Sequence, residues 1–310
     1  MIRLTLMLLI VSGNLLAQTK LDFTKSAIET SKSWIDIDYA GDGIIGHKLD
    51  IFLPQKGNGP FPVVFTIYGS AWFSNSSKAT CFNDGLGQTL LKNGFAVVSI
   101  NHRSSRDAIW PAQIHDVKAA IRFIRANASV FSLDTSFLGI TGFSSGGHLS
   151  TMAGVTSGIK FTTINNLSID LEGNIGKSLN ESSHVDAVVD WFGPTDFLLM
   201  DACGSSFSHN DVKSPESTLV GGAIQENKDK VALANPISYV SKNTPPFLIF
   251  HGTKDPLVPH CESEKLYEKL QKEGVKSELL IIEGGGHGPG VMIDKYYAQM
   301  IAFFKSKAKR

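Results

Sequence analysis

Thr141-Gly142-Phe143-Ser144-Ser145-Gly146-Gly147-His148 sets a serine between two glycines in a Gly-x-Ser-x-Gly pattern. The run before it, Ser136-Phe137-Leu138-Gly139-Ile140-Thr141, reads as a strand, and Gly147 to Ala153 can start a helix. A serine at such a junction needs a sharp strand-to-helix turn that lifts its hydroxyl into a cleft. Glycines suit so tight a turn because side chains there would clash. The pattern alone recurs by chance, so its meaning rests on the flanking strand and helix and on partner residues further along the chain.

Outward from this point the chain alternates between strand and helix signals. Val63–Ile67 is a continuous apolar, β-branched run, as expected of a strand buried on both faces. Phe95–Ile100, Leu138–Thr141, Val185–Trp191, Phe247–Phe250 and Glu278–Ile282 read as further strands. Residues 33–39 and 47–53 read as an N-terminal hairpin. Helical periodicity lies in Gly85–Lys92, Pro111–Ala126, Ser263–Glu273 and Tyr296–Lys305. The alternation predicts an α/β fold, a mostly parallel central sheet with helices on both faces. Residues 157–184 and 198–236 are polar and weakly periodic. They read as insertions in one catalytic domain spanning 18–310, the second able to form a partial lid.

A serine is a poor nucleophile at neutral pH unless a base and an orienting group stand beside it. In an open α/β sheet these come from loops at the carboxyl ends of later strands. Phe247–Phe250 is followed by His251-Gly252-Thr253-Lys254-Asp255-Pro256, and Glu278–Ile282 by Gly284-Gly285-Gly286-His287-Gly288. The order Ser144, Asp255, His287 is that of the α/β-hydrolase triad, with His287 as base and Asp255 orienting it. An Asx-turn before Pro256 is the other reading of Asp255. Asp196, in Gly193-Pro194-Thr195-Asp196, competes for the acid role, with helix capping as its alternative. An oxyanion hole needs backbone N–H groups aimed at developing charge. Ser145, just after the nucleophile, should supply one, and the Tyr68-Gly69-Ser70-Ala71-Trp72 loop the others.

The segments Tyr68–Trp72, Gly142–Gly147, His251–Pro259 and Gly286–Gly288 resemble the secreted esterases of the α/β-hydrolase superfamily. The nearest group is the hormone-sensitive-lipase-like and feruloyl/acetyl-xylan esterase branch. The resemblance covers roughly residues 30–305 and extends to Asn101-His102-Arg103 and Trp110–Asp116. It implies that Ser70 and Ala71 join Ser145 in the oxyanion hole. The family's usual His-Gly-Gly-Gly-Trp is Tyr-Gly-Ser-Ala-Trp here, which narrows the site. It also implies an ester hydrolase acting through an acyl-enzyme on acetyl or feruloyl groups of plant polysaccharide. No metal or cofactor is implied. Trp72, Trp110 and Trp191 sit at the expected active-site edge and are candidates to stack on a sugar or ferulate ring; core packing is the other reading of each. A prolyl-oligopeptidase-like serine peptidase shares the elbow, Asp and His, but such enzymes usually carry a large extra domain. A non-catalytic binding module is the third reading, and the intact Ser/Asp/His set argues against it.

Lys+Arg and Asp+Glu both total 29 among 310 residues, so the net charge is zero. No basic stripe suggests nucleic acid or an anionic membrane surface. Arg3 followed by the apolar run Leu4 to Ile10, and Ala17 before Gln18, reads as a signal peptide over 1–17 and hence a secreted or periplasmic enzyme. Cys81, Cys203 and Cys261 allow at most one disulfide. Spacing does not select among the three pairings. Cys203–Cys261 is favoured because both follow strand ends on the active-site side, and three buried thiols is the alternative. No Cys/His cluster has zinc-site spacing.

Overall fold

The computed structural model describes residues 28–308; the signal-peptide reading of 1–17 lies outside them. Strand β1 (Lys32–Asp38) pairs antiparallel with β2 (Lys48–Leu53), forming the N-terminal hairpin. Then come β3 (Phe61–Ile67), β4 (Ala96–Ile100), β5 (Leu133–Phe143), β6 (Phe161–Ile164) and β7 (Leu167–Asp170). Strands β8 (Ala187–Trp191), β9 (Phe247–Gly252) and β10 (Ser277–Ile282) complete the set. Eight strands form one sheet in the order β1-β2-β4-β3-β5-β8-β9-β10, parallel from β4 to β10.

The apolar runs behave as two-faced strands. Val63, Phe65 and Ile67 point into one core with Val98 and Ile100, while Val64 and Val97 point into the other. The first core is closed by α2 (Ala112–Ala126) and α3 (Ser145–Val155), where Ile114, Val117, Ile121 and Ile124 recur at helical spacing. Leu266 and Leu270 of α6 (Cys261–Lys272) join that core. The second core is closed by α1 (Leu86–Lys92) and α7 (Asp294–Ala308) through Leu86, Leu90, Tyr297, Met300 and Phe304. Helices on both faces free the carboxyl ends of β3, β5, β8, β9 and β10 to present loops on one side.

The insertions hold more structure than their composition suggests. Residues 161–170 form the β6–β7 hairpin, turning at Asn165 and Asn166, which both have positive φ. That pair of angles is the two-residue turn a right-twisted hairpin requires, and asparagine tolerates it. The 198–236 segment carries α4 (Pro215–Val220) and α5 (Lys228–Ala234). Ser214 accepts the Ser217 N–H, Pro215 opens the helix, and Gly221 ends it in a left-handed conformation. Cys203 is bonded to Cys261 at the start of α6, and Cys81 is free and buried. Among the described residues, no helix is long and apolar enough to cross a membrane.

Candidate active site

Ser144 stands where β5 ends and α3 begins, with φ 57 and ψ −126. Its own N–H donates to the Trp191 carbonyl (2.9 Å), and its carbonyl accepts the His148 N–H (3.0 Å). The glycines beside it are demanded by backbone approach. A Cβ on Gly142 would overlap the Gly146 carbonyl oxygen, and one on Gly146 would overlap that of Ile67. The strand, the turn and the first turn of α3 are therefore in backbone contact with β3, and the position of Ser144 is fixed by main chain.

Asp255 and His287 meet although 32 residues apart. His287 Nδ1 lies 2.7 Å from Asp255 Oδ2. Oδ1 of Asp255 accepts the N–H groups of Leu257 (2.9 Å) and Val258 (3.0 Å), so Asp255 makes the Asx-turn and orients the histidine at once. Burial works to raise its pKa, but His251 and His287 together with the Val258 amide hold it well below the usual carboxylate range. A charged acceptor fixes the proton of His287 on Nδ1 and leaves Nε2 free to accept. His287 packs against Phe192, ring centroids 4.6 Å apart, at the end of β8 beside the elbow. Among the described hydrogen bonds, none joins Ser144 to His287. Such contacts tighten when substrate closes the site. Asp196 does not compete: its Oδ1 accepts from Leu198 N and Asn235 Nδ2, capping its own loop.

The three candidate oxyanion donors separate into two sorts. Ser70 N–H donates to Ser145 Oγ (2.9 Å), which makes Ser70 a brace between the two loops and corrects its expected role as a free donor. Among the described hydrogen bonds, the N–H groups of Ala71 and Ser145 have no protein acceptor, and both residues line the cavity with Ser144. Ala71 and Trp72 adopt positive φ (51 and 58), the conformation that glycines would supply more easily.

The tryptophans need correction too. Trp191 is fully buried in the sheet, stacked on Phe250 at 4.2 Å with its indole N–H on Thr141 Oγ1. Trp110 is buried with its N–H on the Leu233 carbonyl (2.9 Å) and does not reach the cavity. An indole with its N–H satisfied and its ring covered belongs to the core, so neither residue is a stacking platform. Trp72 borders the cavity, and its N–H is held by His148 Nδ1 (3.2 Å). His148 donates through Nε2 to the Ala234 carbonyl, and burial pushes its pKa down to about 4, so it stays neutral and can accept from the indole.

The cavity has a volume of about 470 Å³ and opens on Ser144. Pro194, Leu257 and Val258 give it an apolar side, and Ser208, His209, Asp211, Lys213 and Glu216 bring polar groups to another. The Pro194 side is anchored by Glu262, whose buried Oε2 accepts the N–H groups of Thr195 (2.7 Å) and Asp196 (2.6 Å). No sequence pattern singles out Glu262, whose partners lie 66 and 67 residues away, or the His209–Glu216 pair within one polar stretch.

A parallel sheet in this order, with a serine elbow and an Asp–His pair at its carboxyl ends, defines the α/β-hydrolase class. Residues 49–270 match the BD-FAE family, and the chain belongs to that family. It is 31% identical over 238 residues to Esterase LipC of Mycobacterium tuberculosis, an alignment that covers 76% of this chain and 54% of LipC. The chain thus spans about half the length of the curated relatives it matches. Among solved structures, a truncated form of a carbohydrate esterase from gut microbiota is 48% identical with a TM-score of 0.88, covering 92% of this chain and 99% of that one. The bifunctional GH43-CE protein of Bacteroides eggerthii is 51% identical with a TM-score of 0.85, over 89% of this chain and 35% of that one.

Proposed function

We propose that this chain is an exported serine carboxylic ester hydrolase that removes acetyl or feruloyl groups from plant polysaccharide such as xylan. The observation that carries the catalytic part is the 2.7 Å Asp255–His287 contact at the sheet end where the strained Ser144 elbow stands. His287 Nε2 takes the Ser144 proton as Oγ attacks the ester carbonyl. The tetrahedral oxyanion is met by the N–H groups of Ala71 and Ser145. Collapse expels the alcohol, which takes the proton from His287 and leaves Ser144 acylated. A water molecule, deprotonated by His287, then releases the acid and restores the serine. The glycan-borne substrate is supported by the similarity to a carbohydrate esterase at 48% identity. Export is supported by the Leu4–Ala17 pattern and by the disulfide.

The test is product release from acetylated, feruloylated arabinoxylan, with Ser144→Ala as control. Acetate or ferulate release that is absent from the control is expected. Activity on p-nitrophenyl acetate with neither product from arabinoxylan would retain the triad and discard the polysaccharide.

A further inference from the structure

The polar side of the cavity contains a His–Glu pair that the acyl-transfer steps do not use. His209 and Glu216 both line the cavity and are 7% and 3% exposed. Glu216 Oε2 lies 3.0 Å from His209 Nδ1, yet the two are misaligned and neither atom completes a hydrogen bond. Among the described residues, no protein donor hydrogen-bonds to the Glu216 carboxylate. His209 Nε2 lies 2.8 Å from Ser205 Oγ and 3.0 Å from the Leu257 carbonyl, which hold the ring in place. Burial disfavours the imidazolium, but Glu216 outweighs it and raises the His209 pKa.

Burying a carboxylate costs several kcal/mol unless its lone pairs are met, and one misaligned imidazolium meets few of them. Donors arriving in the cavity would meet the remaining lone pairs. The wall is held ready for them: Asp201 accepts the N–H groups of His209 (2.7 Å) and Asn210 (3.1 Å), two residues from the Cys203 disulfide.

We propose that Glu216, held by His209, is a subsite for a free hydroxyl on the alcohol part of the ester, the hydroxyl neighbouring the acylated oxygen on a sugar ring. This rests on the carbohydrate-ester reading above and names the group that makes a sugar ester better than a simple alkyl or aryl ester. A site built around a substrate hydroxyl rejects the analogue lacking it far more strongly than an apolar pocket rejects a missing methylene, because its own buried group is left unpaired. Glu216 is a specificity residue here and takes no part in bond breaking.

The experiment compares kcat/KM for methyl 2-O-acetyl-β-xyloside, its 3-deoxy counterpart and p-nitrophenyl acetate, in the native chain and in Glu216→Gln. The native chain should prefer the hydroxylated xyloside over the deoxy one by at least about tenfold. Glu216→Gln should lose most of that preference, and its xyloside-to-nitrophenyl ratio should fall by a similar factor. Equal rates on the two xylosides in the native chain would overturn the subsite while keeping the carbohydrate-ester reading. A uniform fall on all three substrates in Glu216→Gln would make Glu216 structural and also overturn it. Cleavage of nitrophenyl acetate with neither xyloside touched would overturn the carbohydrate-ester reading itself, and the subsite with it.

Discussion

Ser144 holds backbone angles that few residues other than glycine adopt, a strain of about 1–3 kcal/mol that the surrounding structure must over-determine. It does so through the main-chain contacts of Gly142 and Gly146 with each other and with β3. Gly146→Ala should therefore lose soluble folded protein or abolish turnover, since its Cβ would overlap the Ile67 carbonyl; an active, stable variant would show that the elbow has slack. Asp255→Asn keeps the shape but releases the tautomer of His287, and a loss in kcat of roughly 10³–10⁴ is expected, with the melting curve little changed. His287→Ala should lose several orders of magnitude. Near-normal steady-state rates would place the orienting acid elsewhere in the case of Asp255→Asn and the base elsewhere in the case of His287→Ala. The Ser144 elbow and the meeting of Asp255 with His287 were legible because each residue follows a strand signal at a fixed place in the order. Trp110 and Trp191 misled because an aromatic residue at a strand end looks the same whether it faces the cleft or the sheet core. Ser70 misled because only the fold reveals that Ser145 Oγ captures its N–H.

Among elements, α6 does more than cover the sheet. Its first two residues tie both sides of the cavity: Cys261 to the 198–216 wall and Glu262 to the Pro194 loop. Burial pushes the Glu262 carboxyl up to about 8, outweighing the amide hydrogen bonds from Asp196 and Thr195. The unfolded chain would release that proton near the ordinary glutamate value of 4.5. Between those two values the folded state binds more protons than the unfolded one, so this group's contribution to stability falls as pH rises through the interval. Melting temperatures at about pH 5, 6.5 and 8, which span that interval, should show a smaller decline in Glu262→Gln than in the native chain. Parallel curves would mean that Glu262 is ionised in the fold. The sheet and its covering helices were readable in advance, since continuous apolar runs and helical periodicity carry over long segments. The β6–β7 hairpin escaped because its strands are short and half exposed, although Asn165-Asn166 was a readable turn. The His209–Glu216 contact escaped for another reason: two polar residues in a polar stretch show no pattern until tertiary structure buries them.

The whole molecule is a sheet between two cores, with one long cross-link between the insertion and the last third of the chain. Cys203 and Cys261 are 58 residues apart. In the chain-entropy account a loop of that size stabilises by roughly 4 kcal/mol. The double variant Cys203→Ser/Cys261→Ser should melt on the order of 10 °C lower and show a raised KM, because the cavity wall loses its tether. A lower melting temperature with KM unaltered would mean that the wall is held by Asp201 and α4 alone. Trp72, Trp110 and Trp191 are all at or below 8% exposure, while Trp34 is half-buried against Phe131. Ultraviolet emission from the native chain will therefore be blue-shifted and largely shielded from dissolved quenchers such as acrylamide. Of the four indoles only Trp72 borders the cavity, so ligand arrival will perturb a single chromophore and unfolding will perturb all four. One unlabelled optical signal thereby separates occupancy of the cavity from loss of the fold.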